Sequence, residues 1–305
     1  MLRFTTLRLG QALLTLLASS FIVFALVRTS GNPVDLILPA EATPAERGAF
    51  ITRMGFDRPV PYQYWAFLRN ALHGDWGRSL RTGKPAIELV RERFANSLKL
   101  ATAAIAITLL ISFPLGVLGA ARRGGVWDRL GLGFAVLGQS LPAFWLGIVL
   151  ILIFAVWLHW LPTSGMGTWR HYVLPSVVLG WGLSAGVVRL LRSSMLEVLD
   201  SEFVKLARTK GLRESRVVWK HALRNALIPV ITFVGFMYGV IIAAAIVVEV
   251  VFSWPGLGRL AFEATLWRDF PVLQLTVIVW TALIILVNFL VDLSYSLVDP
   301  RIRGS

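Results

Sequence analysis

The sequence predicts an all-α protein that crosses a membrane several times. Three observations carry this expectation. Of its 305 residues 56% are hydrophobic and only 15% are charged, against about 25% charged in an ordinary soluble domain. The apolar residues clump into runs, and at least five runs reach the roughly 17–25 residues that span a bilayer. The net charge of +13 is concentrated in alternate short segments between those runs, the mark of cytoplasmic loops. So basic a chain also invites a nucleic-acid partner, but that loop asymmetry assigns the charge to membrane topology, and no nucleic acid is expected.

Residues 9–30 form the first span. Arg3 and Arg8 precede it, as in a signal peptide, but the apolar stretch from Leu9 to Val27 covers 19 residues. That exceeds the 7–15 of a signal sequence, and no A-x-A-like site follows. Residues 31–96 form a long external loop with helical content of its own. Tyr62, Trp65, Leu68 and Leu72 recur at helical spacing after Pro61, which suits a first turn. A second helix is expected from Pro85, with Ile87, Val90 and Phe94 on one face, running into the second span. Gly74, Gly77 and Gly83 mark the turns between the two.

Five further spans are expected at 97–121, 132–158, 173–191, 229–251 and 272–298, with 173–191 the shortest. Pro114, Gly116, Gly119, Pro142 and Gly147 interrupt them, which membrane helices tolerate where neighbours re-satisfy the backbone. Six spans place both termini on one side. That side holds Arg3, Arg8, Arg122, Arg123, Arg129, nine Lys/Arg between 189 and 224, Arg301 and Arg303. The short loops opposite hold Arg170, Arg259 and Arg268. Both termini are therefore expected in the cytoplasm. The organisation reads as a transmembrane helix over 1–30, an extracytoplasmic helical loop over 31–96, a five-helix core over 97–298 with a cytoplasmic loop at 192–228, and a cytoplasmic tail over 299–305.

Catalytic chemistry is not legible. "TGKP" at 82–85 lacks the upstream glycine and the hydroxyl of a phosphate-binding loop, and the four histidines are scattered. "GLGRLA" at 256–261 fits a dinucleotide fingerprint but follows a loop, not a strand. Cysteine is absent, which removes thiolate metal sites and iron–sulfur clusters. No cofactor, metal or catalytic residue is expected, so the energy for any work comes from elsewhere.

One segment stands apart. "EFVKLARTKGLRESRVVWKHALRNALIP" at 202–229 carries seven Lys/Arg and two acids between two apolar runs. Residues 202–210 are expected to be helical, with Phe203, Leu206 and Ala207 on one face, and Gly211 to end the helix in the left-handed conformation. An amphipathic helix follows from about 214. Val218, Trp219, Ala222, Leu223 and Ala226 lie along one side and Arg213, Arg216, Lys220 and Arg224 along another; Pro229 opens the next span. Such a helix either lies on anionic headgroups or docks a cytoplasmic partner.

"EFVKLARTKG" at 202–211 with "HALRNALIP" at 221–229 resembles the EAA-type loop of bacterial ABC importer permeases of the peptide/nickel subfamily. "KLA" stands where the general motif has E-A-A. Seven further stretches resemble the same family in order: "MGFDRPVPYQYW" (54–65), "GDWGRSLRTGKP" (74–85), "SLPAFWLG" (140–147), "WLPTSG" (160–165), "HYVLPS" (171–176), "VVEVVFSWPGLGRL" (247–260) and "DPRIR" (299–303). One departure is Ala95, where the family often has proline.

The resemblance implies the MetI-like permease fold, with six transmembrane helices, a small helical external cap and a cytoplasmic coupling helix, in the bacterial inner membrane. It implies a non-enzymatic transport subunit that pairs with a homologous second permease and two ABC ATPase subunits. A periplasmic or lipid-anchored substrate-binding protein would deliver a dipeptide, oligopeptide or glutathione-like solute; nickel chelates are served by the same family. Glu202, Lys205, Ala207, Arg208 and Gly211 are then the candidates for ATPase coupling. Glu249, at the outer end of span five, and Asn288 and Asp292, on span six with Tyr295, are pathway or structural polar groups. Trp254, Pro255, Gly256 and Gly258 form a rigid external turn that either meets the binding protein or closes a hairpin. A secondary transporter is the rival reading, but it needs charged or unwound segments at the midplane, and few are present.

Overall fold

A computed structural model describes residues 2–29, 42–54 and 57–298. Helices α1 (Leu2–Thr29), α2 (Pro44–Met54), α3 (Val60–Leu72) and α4 (Ala86–Ala121) come first. They are followed by α5 (Val126–Ser140), α6 (Ala143–Trp157), α7 (Arg170–Leu199), α8 (Glu202–Thr209), α9 (Glu214–Val251), α10 (Leu257–Leu266) and α11 (Phe270–Val298). No strand occurs among the described residues. Five helices, α1, α4, α7, α9 and α11, are long and apolar enough to cross a membrane, and α5 with α6 make a sixth if that bent pair is one span. The chain packs as two units, one of residues 1–96 and 256–286, the other of 97–255 and 287–305.

In the first unit α1 is the least buried of the spans, with 17% of its apolar window covered. The Tyr64 hydroxyl of α3 hydrogen-bonds Ser20 Oγ at 2.6 Å and donates to the Leu17 carbonyl at 3.1 Å. Phe21, Phe24 and Phe67 pack their rings around Tyr64. The helix over 60–72 is therefore where spacing placed it, but Tyr64 and Phe67 are its inward residues, while Tyr62, Trp65 and Leu72 are exposed. Helix α2 was not anticipated. It opens on a capping box in which Thr43 N–H donates to Glu46 Oε2 at 2.8 Å and Glu46 N–H donates to Thr43 Oγ1 at 3.3 Å. Helix α10, also unanticipated, lies where an external turn was expected.

In the second unit α7 is the central helix, with 61% of its window buried, packed against α9 and α5. Small residues let the neighbours approach. A Cβ on Gly180 would lie 2.6 Å from Thr108 Oγ1, and one on Gly138 would lie 2.5 Å from Ala185 Cβ. The buried Thr108 and Ser112 hydroxyls donate to the Gly180 and Ser184 carbonyls of α7, the hydrogen-bonding glue of membrane helices.

One expectation is sharpened here and one corrected. Span 132–158 does not run straight through Pro142, as the interruption there predicts: α5 and α6 meet at a bend of 110°. Pro142 has no N–H to donate and bars Leu141 from the helical region; Leu141 sits at φ −92°, ψ 122°. Nor does Pro229 open the fifth span. The amphipathic segment and the span are continuous in α9, with Pro229 inside and residues 217–222 wound as a π-helix. The extra backbone spacing of a π turn adjusts the phase of the helix, which lets Val217, Val218, Ala222 and Ala226 all bury. Trp219, expected among them, is exposed.

Candidate coupling helix and transmembrane groove

Helix α8 is a rigid connector, short but fastened at both ends. Its C-terminus closes in a Schellman motif, with Leu212 N–H donating to the Ala207 carbonyl and Gly211 N–H to the Arg208 carbonyl. Gly211 sits at φ +76°, and a Cβ there meets nothing within 4 Å, so backbone conformation alone requires the glycine. Arg208 bridges to the next helix through Glu214, at 3.1 Å from Nε and 2.8 Å from Nη2, and also donates to the Leu199 carbonyl. Lys205 pairs with Glu202 at 2.7 Å. These hydrogen bonds raise the Lys205 and Arg208 pKa values, with Glu202 and Glu214 respectively as the largest cause.

The two faces of α8 differ from the expected grouping. Val204 and Ala207 turn into the chain's own packing, whereas Phe203 and Leu206 are 47% and 55% exposed. Ala207 therefore belongs with Val204, not with Phe203 and Leu206. Helix α7 and the π segment of α9 are the elements that touch α8.

At the other end of α9, Glu249 is fully buried and accepts from Ser97 Oγ at 2.6 Å. Its carbonyl accepts from Trp254 N–H at 2.8 Å. Trp254 is also 0% exposed, with its ring edge-on to Tyr172 at 4.7 Å, and Gly165 N–H donates to the Phe252 carbonyl. Gly256 and Gly258 are buried as well, and only Pro255 of the four turn residues is partly open. Of the two readings of this turn, burial of the indole fits the one that closes a hairpin between spans. The hydrogen-bonded backbone folds the indole inward, where burial of its large surface outweighs exposure. Asn288 is exposed on α11; Asp292 and Tyr295 lie in its last turns, where side chains are outside the described residues.

Three arrangements escaped the sequence reading. In the first unit, Asp269 accepts from Ser79 Oγ at 2.5 Å and from Leu80 N–H at 3.0 Å, pinning the 77–85 loop to the turn before α11. In the second, buried Asp128 takes Arg192 by both nitrogens at 2.5 and 3.1 Å and also the Gly124 N–H. One turn from Arg192, Arg189 faces a groove of about 390 Å³ bounded by α5, α6, α7 and α9. A lone acid in a basic loop and two arginines three apart in an apolar run were the available signals.

Comparison with known proteins bears on this arrangement. Residues 112–304 match the family described as binding-protein-dependent transport system inner membrane component, and residues 1–101 match its N-terminal model. The chain belongs to that family. As a member of it, this permease is a multi-pass inner-membrane transport component. It is similar along its length to glutathione transport system permease proteins GsiC. The one from Pectobacterium atrosepticum is 42% identical over 304 residues, covering 99% of each chain. Those of Salmonella typhimurium and Escherichia coli are 40% and 38% identical with the same coverage. The permease also resembles a chain of the inward-facing MetNI methionine ABC transporter, at TM-score 0.58 and 18% identity, covering 70% of this chain and 97% of that one. A chain of an amino acid ABC transporter with histidines aligns at TM-score 0.54 and 16% identity, over 68% and 92%. These establish the MetI-like, all-α permease fold that the motifs implied.

Proposed function

We propose that the permease forms half of the translocation pathway of an ATP-driven importer for small peptides of the glutathione kind. The observation that carries this is α8: a capped, ion-paired helix that holds two large apolar side chains in water. Exposed apolar residues on a rigid polar scaffold are what a protein groove accepts. The full-length similarity to glutathione permeases supports the solute class.

In this reading α8 is the coupling helix. Glu202, Lys205 and Arg208 form its polar rim, Gly211 sets its exit, and Ala207 seats it on its own chain so that its motion reaches α7 and α9. Two ATPase subunits, each gripping one permease, draw the coupling helices together when ATP closes them. That motion rocks the spans between outward- and inward-facing states, and ATP biases the exchange only by its differential affinity for the two states. A second, homologous permease completes the pathway, and a substrate-binding protein delivers the solute at the outer face. Both termini lie in the cytoplasm, with α5 and α6 counted as one broken span. Glu249 and the Trp254 turn brace the outer end of α9, and Pro255 is the member of that turn available to a binding protein.

The test is purification of the tagged chain in mild detergent. A second permease and ATP-hydrolysing subunits are expected to come with it, with hydrolysis stimulated by the loaded binding protein. A chain that is stable alone, and never retains an ATPase, rules out the importer reading.

A further inference from the structure

Two arginines one helical turn apart on α7 have different fates. Arg192 is claimed twice over by buried Asp128. No described carboxylate forms an ion pair with Arg189. Its partner is a neutral amide: with the Gln139 side chain turned oxygen-first, Oε1 accepts from Arg189 Nη2 at 2.6 Å and Nη1 at 3.0 Å. Gln139 is the penultimate residue of α5, immediately before the break at Leu141 and Pro142. The bend that interrupts this span therefore delivers the amide that orients the guanidinium.

The groove in front of them is otherwise apolar. Its walls include Leu141, Leu183, Phe233, Met237 and Val248, and Gly182 opens onto it. Gly182 leaves the wall shallow, since a Cβ there would meet only the Gly138 carbonyl, at 3.7 Å. Arg189 lies ten residues before the end of α7, about 15 Å along the helix. Arg189 and Gln139 are both exposed in the single chain, and both line this otherwise apolar groove near the cytoplasmic end expected for span 173–191. The apolar walls on the groove side strengthen its attraction for an anion, though less than full enclosure would. A guanidinium tethered on one side by Gln139 still has N–H donors for a carboxylate.

We propose that Arg189, positioned by Gln139, is a binding site in the translocation groove for a carboxylate of the passing solute. The inference rests on the peptide-importer reading and adds to it a recognition step inside the membrane component, separate from the binding protein. Apolar walls with one oriented cation bind the carboxylate end selectively while leaving the remainder of a peptide loosely held, which suits a solute that must leave again.

The test uses the complete complex of permeases, ATPases and binding protein in proteoliposomes, with S-methylglutathione, a thiol-free tripeptide bearing two carboxylates, as probe. Arg189→Gln is expected to assemble, to keep its ATP hydrolysis stimulated by loaded binding protein, and to lose uptake at least about tenfold, the scale of a lost charge-assisted hydrogen bond. Arg189→Lys is expected to retain most uptake. Because the chain has no cysteine, Arg189→Cys offers a single attachment point in it. Modification with a cationic aminoethyl thiosulfonate is expected to restore uptake, and a neutral methyl thiosulfonate to leave it low. Unchanged uptake by Arg189→Gln, or equal rescue by both reagents, overturns the carboxylate site while leaving the importer reading intact. Loss of assembly in Arg189→Gln assigns the arginine to the second permease and also overturns it. Failure of the wild-type complex to take up the probe overturns the peptide reading, and this inference with it.

Discussion

Two connections between spans, 200–213 and 252–269, are built from similar parts and finished differently. Each is a short helix with a positive-φ residue just past its C-terminus, Gly211 after α8 and Arg268 after α10. On α8 the large apolar residues Phe203 and Leu206 stand in solvent, and its charged residues pair along the surface. On α10 one apolar face, Leu257, Leu260, Ala261 and Ala264, is buried, as is Trp254 before it. The 252–269 connection buries most of its apolar surface, Trp254 above all, but leaves Phe262 and Leu266 43% and 64% exposed. The 200–213 connection is rigid and carries Phe203 and Leu206 exposed beside paired charges, which fits the docking role proposed for it.

Substitutions can break this contrast. The largest effect is expected at Trp254→Ala, where emptying a fully buried indole site costs about 3–5 kcal/mol. The folded protein recovered from the membrane should fall sharply, and normal recovery with a normal unfolding temperature would show that the external turn is less locked than its burial indicates. Phe203→Ala with Leu206→Ala should leave unfolding unchanged and weaken ATPase association by roughly 2–4 kcal/mol, the scale of two interface anchors. A drop in thermal stability without loss of ATPase would reverse the assignment of that face. Asp269→Ala should cost about 1–3 kcal/mol, because it strips acceptors from Ser79 Oγ and Leu80 N–H. The result to look for is faster hydrogen exchange in the 77–85 loop with ATP hydrolysis unaltered. Gly211→Val should cost about 1–2 kcal/mol locally, since a β-branched residue is strained at positive φ. Uptake should fall while the chain still inserts, and uptake at the wild-type level with equal protein would remove α8 from the coupling role.

Much of this was legible from residue patterns. Runs of apolar residues located the spans, and Gly211 announced the end of α8 because few other residues tolerate that backbone region. The helix at 60–72 and the helix starting beside Pro85 followed from spacing. The T-P-A-E start of α2 was a readable signal that the reading passed over, since Thr43 and Glu46 have the capping-box spacing. Span 173–191 read as the shortest because Gly180, Gly182, Ser184 and Gly186 dilute its apolar character. Those same residues make α7 the most buried span, as small side chains admit neighbouring helices rather than lipid.

Other features depended on which segments meet. The residues of α8 that face inward, Val204 and Ala207 rather than Phe203 and Leu206, follow from the seat that α7 and α9 offer, and helical periodicity is blind to which stripe finds a seat. The inward fold of Trp254 required Tyr172, 82 positions away, to be brought against it. Arg189 and Arg192 are alike in sequence; only the placement of Asp128 and Gln139 on α5 neutralises one and leaves the other facing a groove. Composition and local pattern determined that the chain crosses a membrane, where it turns and where its charge collects, because those depend on transfer free energy and backbone sterics. The tertiary structure decided which faces, charges and polar groups remain unsatisfied, because that depends on partners distant in sequence.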